Sequence, residues 1–213
     1  IRMNAIGPWG RGPRVYMRSL ATRNTGNEVS RALPDVVTAC KAARFDLILL
    51  ETSGIGQGDT GITEIASASI YVMTPEFGAP SQLEKIDMLD FAELVAINKF
   101  DRKGAADALR DVAKQVQRNR GAFGERLGAM PVFGTIASRF NDDGVTALYQ
   151  ALKARLHELG MQVKPGRLPS VDTRHSTHQT PLVPGARVRY LAEIAGTVRG
   201  YEPFSGDLPT RSV

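Results

Sequence analysis

One cysteine, one tryptophan and three histidines are all that the 213-residue chain holds of those types. A lone Cys40 excludes an intrachain disulfide and suits a reducing cytoplasm, the compartment expected for this protein. On a predicted helix it reads as a small buried hydrophobe rather than a reactive thiol. His175 and His178 stand three apart, but in a Pro/Ser/Thr segment with no Cys, Asp or Glu cluster beside them, so a solvated linker is predicted there and not a metal site. No apolar run approaches 18 residues and no signal peptide is recognisable, so no membrane partner is predicted. The formal net charge is +5 and the sequence pI about 9.6. Yet Lys and Arg form no run and do not interleave with aromatics, which argues against a nucleic-acid partner. From Leu159 onward the charges are scattered and mostly basic, the pattern of a solvated face or a docking surface. One missing motif matters more than any missing residue type. Gly-x-x-x-x-Gly-Lys-Ser/Thr, the loop that cradles nucleotide phosphates, occurs nowhere.

What is there fits a soluble globular chain: 42% apolar and 23% charged residues in 23.1 kDa, enough for one domain with an extension. Residues 1–14, with Gly7, Pro8, Gly10, Gly12 and Pro13, predict a loop. Strands are predicted at Val15 to Leu20, Phe45 to Leu50, Ser69 to Met73, Leu94 to Ile97 and Val132 to Thr135. Helices are predicted at Asn27 to Ala43, kinked or split at Pro34, at Gln82 to Phe91 and at Ala105 to Arg120. A last helix carries a stripe of Val145, Leu148, Leu152, Leu156 and Leu159. The compact apolar runs suit strands covered on both faces. Their alternation with helices predicts an α/β fold, a three-layer sandwich around a mostly parallel sheet. Residues 161–184 predict a linker, 185–201 a linker or docking helix, and 202–213 a tail without pattern.

The strand at Leu94 runs into Asn98-Lys99-Phe100-Asp101. An aspartate here can accept two hydrogen bonds, from the ring N–H and the exocyclic amine of guanine, whereas adenine offers no such donor pair. The Lys99 stem can lie along the base, and the Asn98 amide can tie this loop to a neighbouring one. Three fixed residue types recur by chance at roughly one in 8,000 positions. Placement at the carboxyl end of a buried strand, where open α/β sheets bind ligands, strengthens the reading.

A second strand ends in Glu51-Thr52-Ser53-Gly54. An acidic strand tip can serve Mg²⁺ directly or through water. Gly54 lets a backbone N–H approach a terminal phosphate closely. GTPases usually carry Asp at the first of these positions. The 47 residues from Glu51 to Asn98 leave room for one strand–helix unit. A third element, Gly134-Thr135-Ile136-Ala137-Ser138, can offer the guanine O6 a backbone N–H. These motifs stand in unpermuted order, so the phosphate-binding loop is expected before Glu51. The chain, which begins at Ile1, is expected to be a piece lacking the first strand and helix of its own nucleotide domain.

Together, Glu51-Thr-Ser-Gly-Ile-Gly-Gln57, Tyr71-Val-Met-Thr-Pro-Glu-Phe-Gly, Gln82-Leu-Glu-Lys-Ile-Asp-Met-Leu-Asp-Phe and Asn98-Lys-Phe-Asp resemble the methylmalonyl-CoA mutase-associated GTPases. Val15-Tyr-Met-Arg-Ser-Leu-Ala-Thr-Arg23 and Arg187-Val-Arg-Tyr-Leu-Ala-Glu-Ile look closer still to the branch in which the GTPase is fused to an isobutyryl-CoA mutase. The resemblance covers residues 1 to 201. It implies a P-loop GTPase-type domain at 1–160, binding GTP or GDP with Mg²⁺. Its hydrolysis would gate the loading and protection of adenosylcobalamin in acyl-CoA mutase domains, fused or separate, with a homodimer in the intact protein.

By the resemblance Glu51 serves the metal and the attacking water. Gly54, Gln57 and Asp59 form a phosphate-sensing switch, and Thr22 and Arg23 lie near an earlier one. Pro75 to Lys85, with Gln82 and Lys85, forms a further switch facing the mutase. Asn98, Lys99 and Asp101, with Thr135, Ile136 and Ala137, read guanine. Lacking the phosphate-binding loop and the mutase domains, the chain alone is expected to carry neither reaction, and Pro203 to Val213 departs from the helical linker expected there. Two other readings compete. A natural start near Ile1 would favour a nucleotide-free docking module. A metal-insertion GTPase would want His or Cys ligands near the switch, and Thr52 to Thr63 has none.

Overall fold

The computed structural model describes residues 2–6 (backbone alone), 15–20, 29–52, 61–163, 166, 168–177 and 192–198. The strands are β1 Arg2–Ile6, β2 Val15–Ser19, β3 Leu47–Glu51, β4 Ile70–Met73, β5 Leu94–Asn98 and β6 Val132–Thr135. The helices are α1 Leu33–Ala42, α2 Pro80–Leu83, α3 Met88–Phe91, α4 Ala105–Asn119 and α5 Asp143–Glu158. Residues 192–198 are also helical, within the stretch predicted to be a docking helix.

β4, β5 and β6 lie side by side and parallel, with Ile70 opposite Leu94 and Val95 opposite Val132. β5 is the middle strand, and its residues 94–97 are buried, as a continuous apolar run demands. Alternation sends its side chains to two faces. Val95 and Ile97 join Val132, Val112 and Val116 in the core under α4, which also takes in Leu83, Ile86 and Leu89. Leu94 and Phe133 pack instead with Ala147, Leu148 and Leu152 of α5. Helices therefore cover both faces of this sheet, and the three-layer expectation holds there. α4 forms because Ala105, Ala108, Val112, Ala113 and Val116 repeat at helical spacing and bury one stripe.

The first half of the chain departs from a mostly parallel sheet. β1 lies between β2 and β3 and is antiparallel to both, with Arg2 opposite Ser19 on one side and Glu51 on the other. The loop expected over residues 1–14 is thus a strand at its start. Arg-Met-Asn-Ala, the first four residues of β1, alternate polar and apolar, a period-two signal overshadowed by the Gly/Pro cluster that follows. α1 covers one face of β3, where Ile48 and Leu50 pack on Leu33, Val36, Val37 and Cys40. Cys40 is buried, as a small hydrophobe would be.

Three helices differ from the sequence reading. α1 starts at Leu33 and is not kinked: Pro34 sits in its first turn, where a missing N–H costs no intrahelical bond. The segment 82–91 is not one helix. α2 and α3 are joined through tight turns in which Lys85, Ile86, Leu89 and Asp90 each donate to the carbonyl three residues back. Leu83, Ile86 and Leu89 recur at threes, which keeps them on one buried side through those turns. On α5 the packed positions are Ala147, Leu148, Ala151 and Leu152, while Val145 and Leu159 are 37% and 43% exposed. The stripe is rotated: Asp142 caps the helix through the Val145 N–H, and Asp143, Gly144, Thr146 and Ala147 are buried in place of Val145.

Leu89 is only 1% exposed and belongs to the large core. Leu89→Ala is expected to cost about 2–5 kcal/mol, read as a lower urea midpoint at unchanged slope; an unchanged midpoint would mean that α3 does not help hold this core.

Candidate functional site

The parallel register sets Asn98, the last residue of β5, opposite Thr135, the last of β6. Both following loops therefore leave from the same carboxyl end of the sheet. The Asn98 side-chain carbonyl accepts the Ala137 N–H at 3.1 Å and the Thr135 hydroxyl at 3.4 Å. The Phe100 N–H donates to the Thr135 carbonyl at 3.0 Å. Phe100 is buried over Gly134, and a Cβ on that glycine would fall 2.5 Å from the ring. Anchored at Asn98 and Phe100, the tetrad leaves Lys99 and Asp101 exposed. Lys99 holds φ 56°, in the left-handed region, which costs a residue with a Cβ about 1–2 kcal/mol. Backbone strain of this kind persists where surroundings over-determine it and clusters at ligand sites.

Glu51 ends β3 and is exposed. It lines a cleft of about 760 Å³ together with Leu50, Thr52, Ile70, Val72, Thr74 and Asn98. The cleft runs between β3, the last strand of the antiparallel sheet, and β4, the first of the parallel one. Among the described residues neither strand pairs with another across it, and Val72 is 59% exposed.

The predicted site residues thus divide into three groups. Asn98, Lys99, Asp101, Thr135, Ile136 and Ala137 form one loop pair, and Glu51 shares a cleft with Asn98. Gln82, on α2, and Lys85, in the turn after it, are exposed and do not line the cleft. Thr22, Arg23, Gly54, Gln57 and Asp59 lie outside the described residues, as does His178. Among the described residues no group of three His, Cys, Asp or Glu side chains could hold a metal ion. The Glu51 carboxylate fits Mg²⁺ shared with phosphates and water rather than an all-protein cage.

Sequence reasoning missed three features. Asp142 is 4% exposed, and its carboxylate accepts the Ile136 N–H at 3.1 Å and the Val145 N–H at 2.9 Å. An acidic residue just before an apolar-periodic stretch is a capping signal that could have marked it. The segment 173–177, predicted to be solvated linker, is packed on β6, and Ser176 is 2% exposed. Finally, Arg102, directly after Asp101, forms an ion pair with Glu76 in the helical turn Pro75–Phe77. That pair ties the segment expected to be a switch to the guanine-type loop. Hydrogen bonds from the Thr74 hydroxyl and the Glu76 backbone N–H, with the Arg102 guanidinium, lower the Glu76 carboxyl to about 2.

Residues 1–168 match the family described as methylmalonyl Co-A mutase-associated GTPase MeaB. The chain is 66% identical over 201 residues to the fused isobutyryl-CoA mutase of Cupriavidus metallidurans, covering 94% of this chain and 18% of that protein. It is 51% identical over 203 residues to the fused isobutyryl-CoA mutase of Geobacillus kaustophilus, again 94% of this chain and 18% of the relative. A methylmalonic aciduria type A homolog of Caenorhabditis briggsae is 28% identical over 91 residues, 43% of this chain and 22% of the relative. The chain spans 16% to 19% of the length of the fused mutases it matches.

The Glu76 pair gives a pH signature. A carboxyl lowered in the folded state stabilises it fully above its unfolded value of about 4.5, and that stabilisation is lost as pH falls toward about 2. The melting-temperature difference between the native sequence and Glu76→Gln is expected to be small, constant at neutral pH, and to close across that window. A difference that stays flat down to pH 2 would show that the ion pair does not form.

Proposed function

The chain belongs to the methylmalonyl-CoA mutase-associated GTPase family, and from that premise we propose that it is the guanine-reading part of a GTPase coupled to an acyl-CoA mutase. The observation that carries the reading is the Asn98 carboxamide, which binds the loop after β6 to the tetrad after β5. Asp101 accepts two hydrogen bonds from guanine. Lys99 lies along the base, and the loop Thr135–Ala137, held through the Ile136 N–H by Asp142 and through the Ala137 N–H by Asn98, borders the guanine O6. The Lys99 strain fits this reading, since a loop set in advance loses less freedom when the base arrives.

The cleft between β3 and β4 receives the phosphate-binding strand and loop from a preceding segment of the same polypeptide. Among the described residues β3 and β4 do not pair across this gap, which is lined by Leu50, Ile70 and Val72, and a single inserted strand would bridge them. The phosphates then lie between Glu51 and Asn98. Mg²⁺, when bound, neutralises charge on the phosphate oxygens, and Glu51 holds it directly or through water. Gly54 offers its N–H to the terminal phosphate. Gln57 and Asp59 form the switch that responds to it, with Thr22 and Arg23 in an earlier switch. Positioning and charge stabilisation supply most of the rate in such an in-line attack by water.

The segment Pro75 to Lys85 carries the nucleotide state outward, with Gln82 and Lys85 toward the mutase, and the Glu76–Arg102 pair is its link to the base-reading loop. Hydrolysis so transmitted gates the loading of adenosylcobalamin into the mutase domains and its protection there. The fused mutases among the relatives support this coupling. The intact protein is a cytoplasmic homodimer in this reading.

The test compares GDP with ADP on the intact polypeptide that includes the preceding segment. It is expected to bind GDP and reject ADP, and Asp101→Asn is expected to lose at least about tenfold of that preference, ~1.4 kcal/mol. Equal binding of both nucleotides by the unmodified protein, or an unchanged preference in Asp101→Asn, would refute guanine reading by this loop.

A further inference from the structure

The base-reading loop and the segment that follows α5 share one carboxylate. Asp142 Oδ2 accepts the Ile136 N–H at 3.1 Å and the Val145 N–H at 2.9 Å, while Asp142 Oδ1 accepts the Ser176 hydroxyl. Both side chains are almost fully buried, Asp142 at 4% and Ser176 at 2%. The backbone of the segment is held as well. The Gly134 N–H donates to the Arg174 carbonyl and the Ser176 N–H to the Gly134 carbonyl, each at 2.9 Å, so the segment runs parallel to β6 at Gly134. His175 stacks on Phe100 at 5.4 Å between ring centroids, and Phe100 is the third residue of the tetrad. The Thr177 N–H donates to Asp143 Oδ1 at 3.0 Å, and its hydroxyl donates to Asp143 Oδ2. Gly144 leaves room for this crossing: a Cβ there would lie 2.0 Å from the Gly134 carbonyl oxygen and 2.7 Å from the Ser176 nitrogen.

We propose that Asp142 is a positioning residue through which the docked segment 173–177 sets the loop Thr135–Ala137 for the guanine O6, so that guanine nucleotide and segment docking strengthen one another. This rests on the guanine reading proposed above. The physical argument is a shared acceptor. The Ile136 N–H is fixed by Asp142 Oδ2, and the Asp142 carboxylate is itself oriented by the Ser176 hydroxyl on its other oxygen. Remove Ser176 from its seat and a buried Oδ1 loses its donor, an arrangement that drives the carboxylate to reorient. Ile136 is then no longer held where Asn98 holds the next residue, Ala137. His175 on Phe100 gives the same segment a second contact, on the tetrad side. Coupling of this kind is reciprocal: whatever the segment does for nucleotide affinity, nucleotide does for segment docking.

Two measurements on the intact polypeptide test this. First, hydrogen exchange of the amides at 174–177 is followed in the unmodified protein with and without GDP; GDP is expected to slow the Ser176 amide about fivefold or more. Second, Ser176→Ala is titrated with GDP and with 6-thio-GDP, which keeps both donors that Asp101 reads but replaces O6 by the weaker acceptor sulfur. Ser176→Ala is expected to bind GDP about fivefold or more weakly and to narrow the preference for GDP over 6-thio-GDP. A general structural defect would weaken both nucleotides equally, and that result overturns the proposal. So does exchange at 174–177 that is indifferent to GDP. Asp101→Asn, measured alongside with GDP and ADP, separates the two readings. If it loses its base preference while the Ser176 amide and Ser176→Ala show no effect, guanine reading stands and the coupling through Asp142 does not.

Discussion

β5 is hydrogen-bonded along both edges and covered on both faces, and the candidate site follows from that constraint. A strand so placed has no freedom to slide or tilt without opening two ladders and two packed interfaces. Its last residue, Asn98, is therefore a fixed point at the carboxyl end of the sheet. Everything described at that end is measured from it. The loop after β6 is tied to its carboxamide, Phe100 is turned inward over Gly134 two residues on, and Lys99 is forced between them into the left-handed region. The strain at Lys99 is the small cost of making a rigid strand end in a loop whose alternate residues face opposite ways.

Around this fixed point the polar groups act as staples rather than as surface decoration. Asp142 is an example: it caps α5, holds the Ile136 amide and receives a hydroxyl from a segment more than 30 residues later in the chain. Buried polar groups are tolerable only when each finds partners, and here the partners come from three separate parts of the fold. The Glu76–Arg102 pair differs in kind. It is about half exposed on each side, so it can form and break at little cost, which suits a contact between a loop and a segment expected to move.

Much of this was legible in the sequence, for physical reasons that can be named. β5 was plain because a doubly covered strand is a continuous apolar run, and the tetrad at its end has few alternative uses. The loop after β6 could be found only by its order behind that tetrad. β1 was hidden because four alternating residues carry less weight than five glycines and prolines beside them. The break between α2 and α3 was hidden because apolar residues at threes serve a helix and a chain of tight turns equally. Ser176 was invisible in principle. Hydrophobic patterning reports what apolar burial drives, whereas this serine is buried by backbone pairing with Gly134 and by one carboxylate. No window of its own polar neighbourhood records that.

The open cleft beside β4 bears on how the chain behaves as a polypeptide. β4 is four residues long, and its Val72 is more than half exposed. Its outer edge carries no lysine, proline or bulge of the sort that blunts strand edges in stable proteins. An edge of this composition is a template for whichever extended segment reaches it first. Within one polypeptide that segment is supplied at a high local concentration; without it, a neighbouring molecule's strand meets the same row of donors and acceptors. The cleft proposed to take the nucleotide is thus also where self-association into extended β-structure would begin.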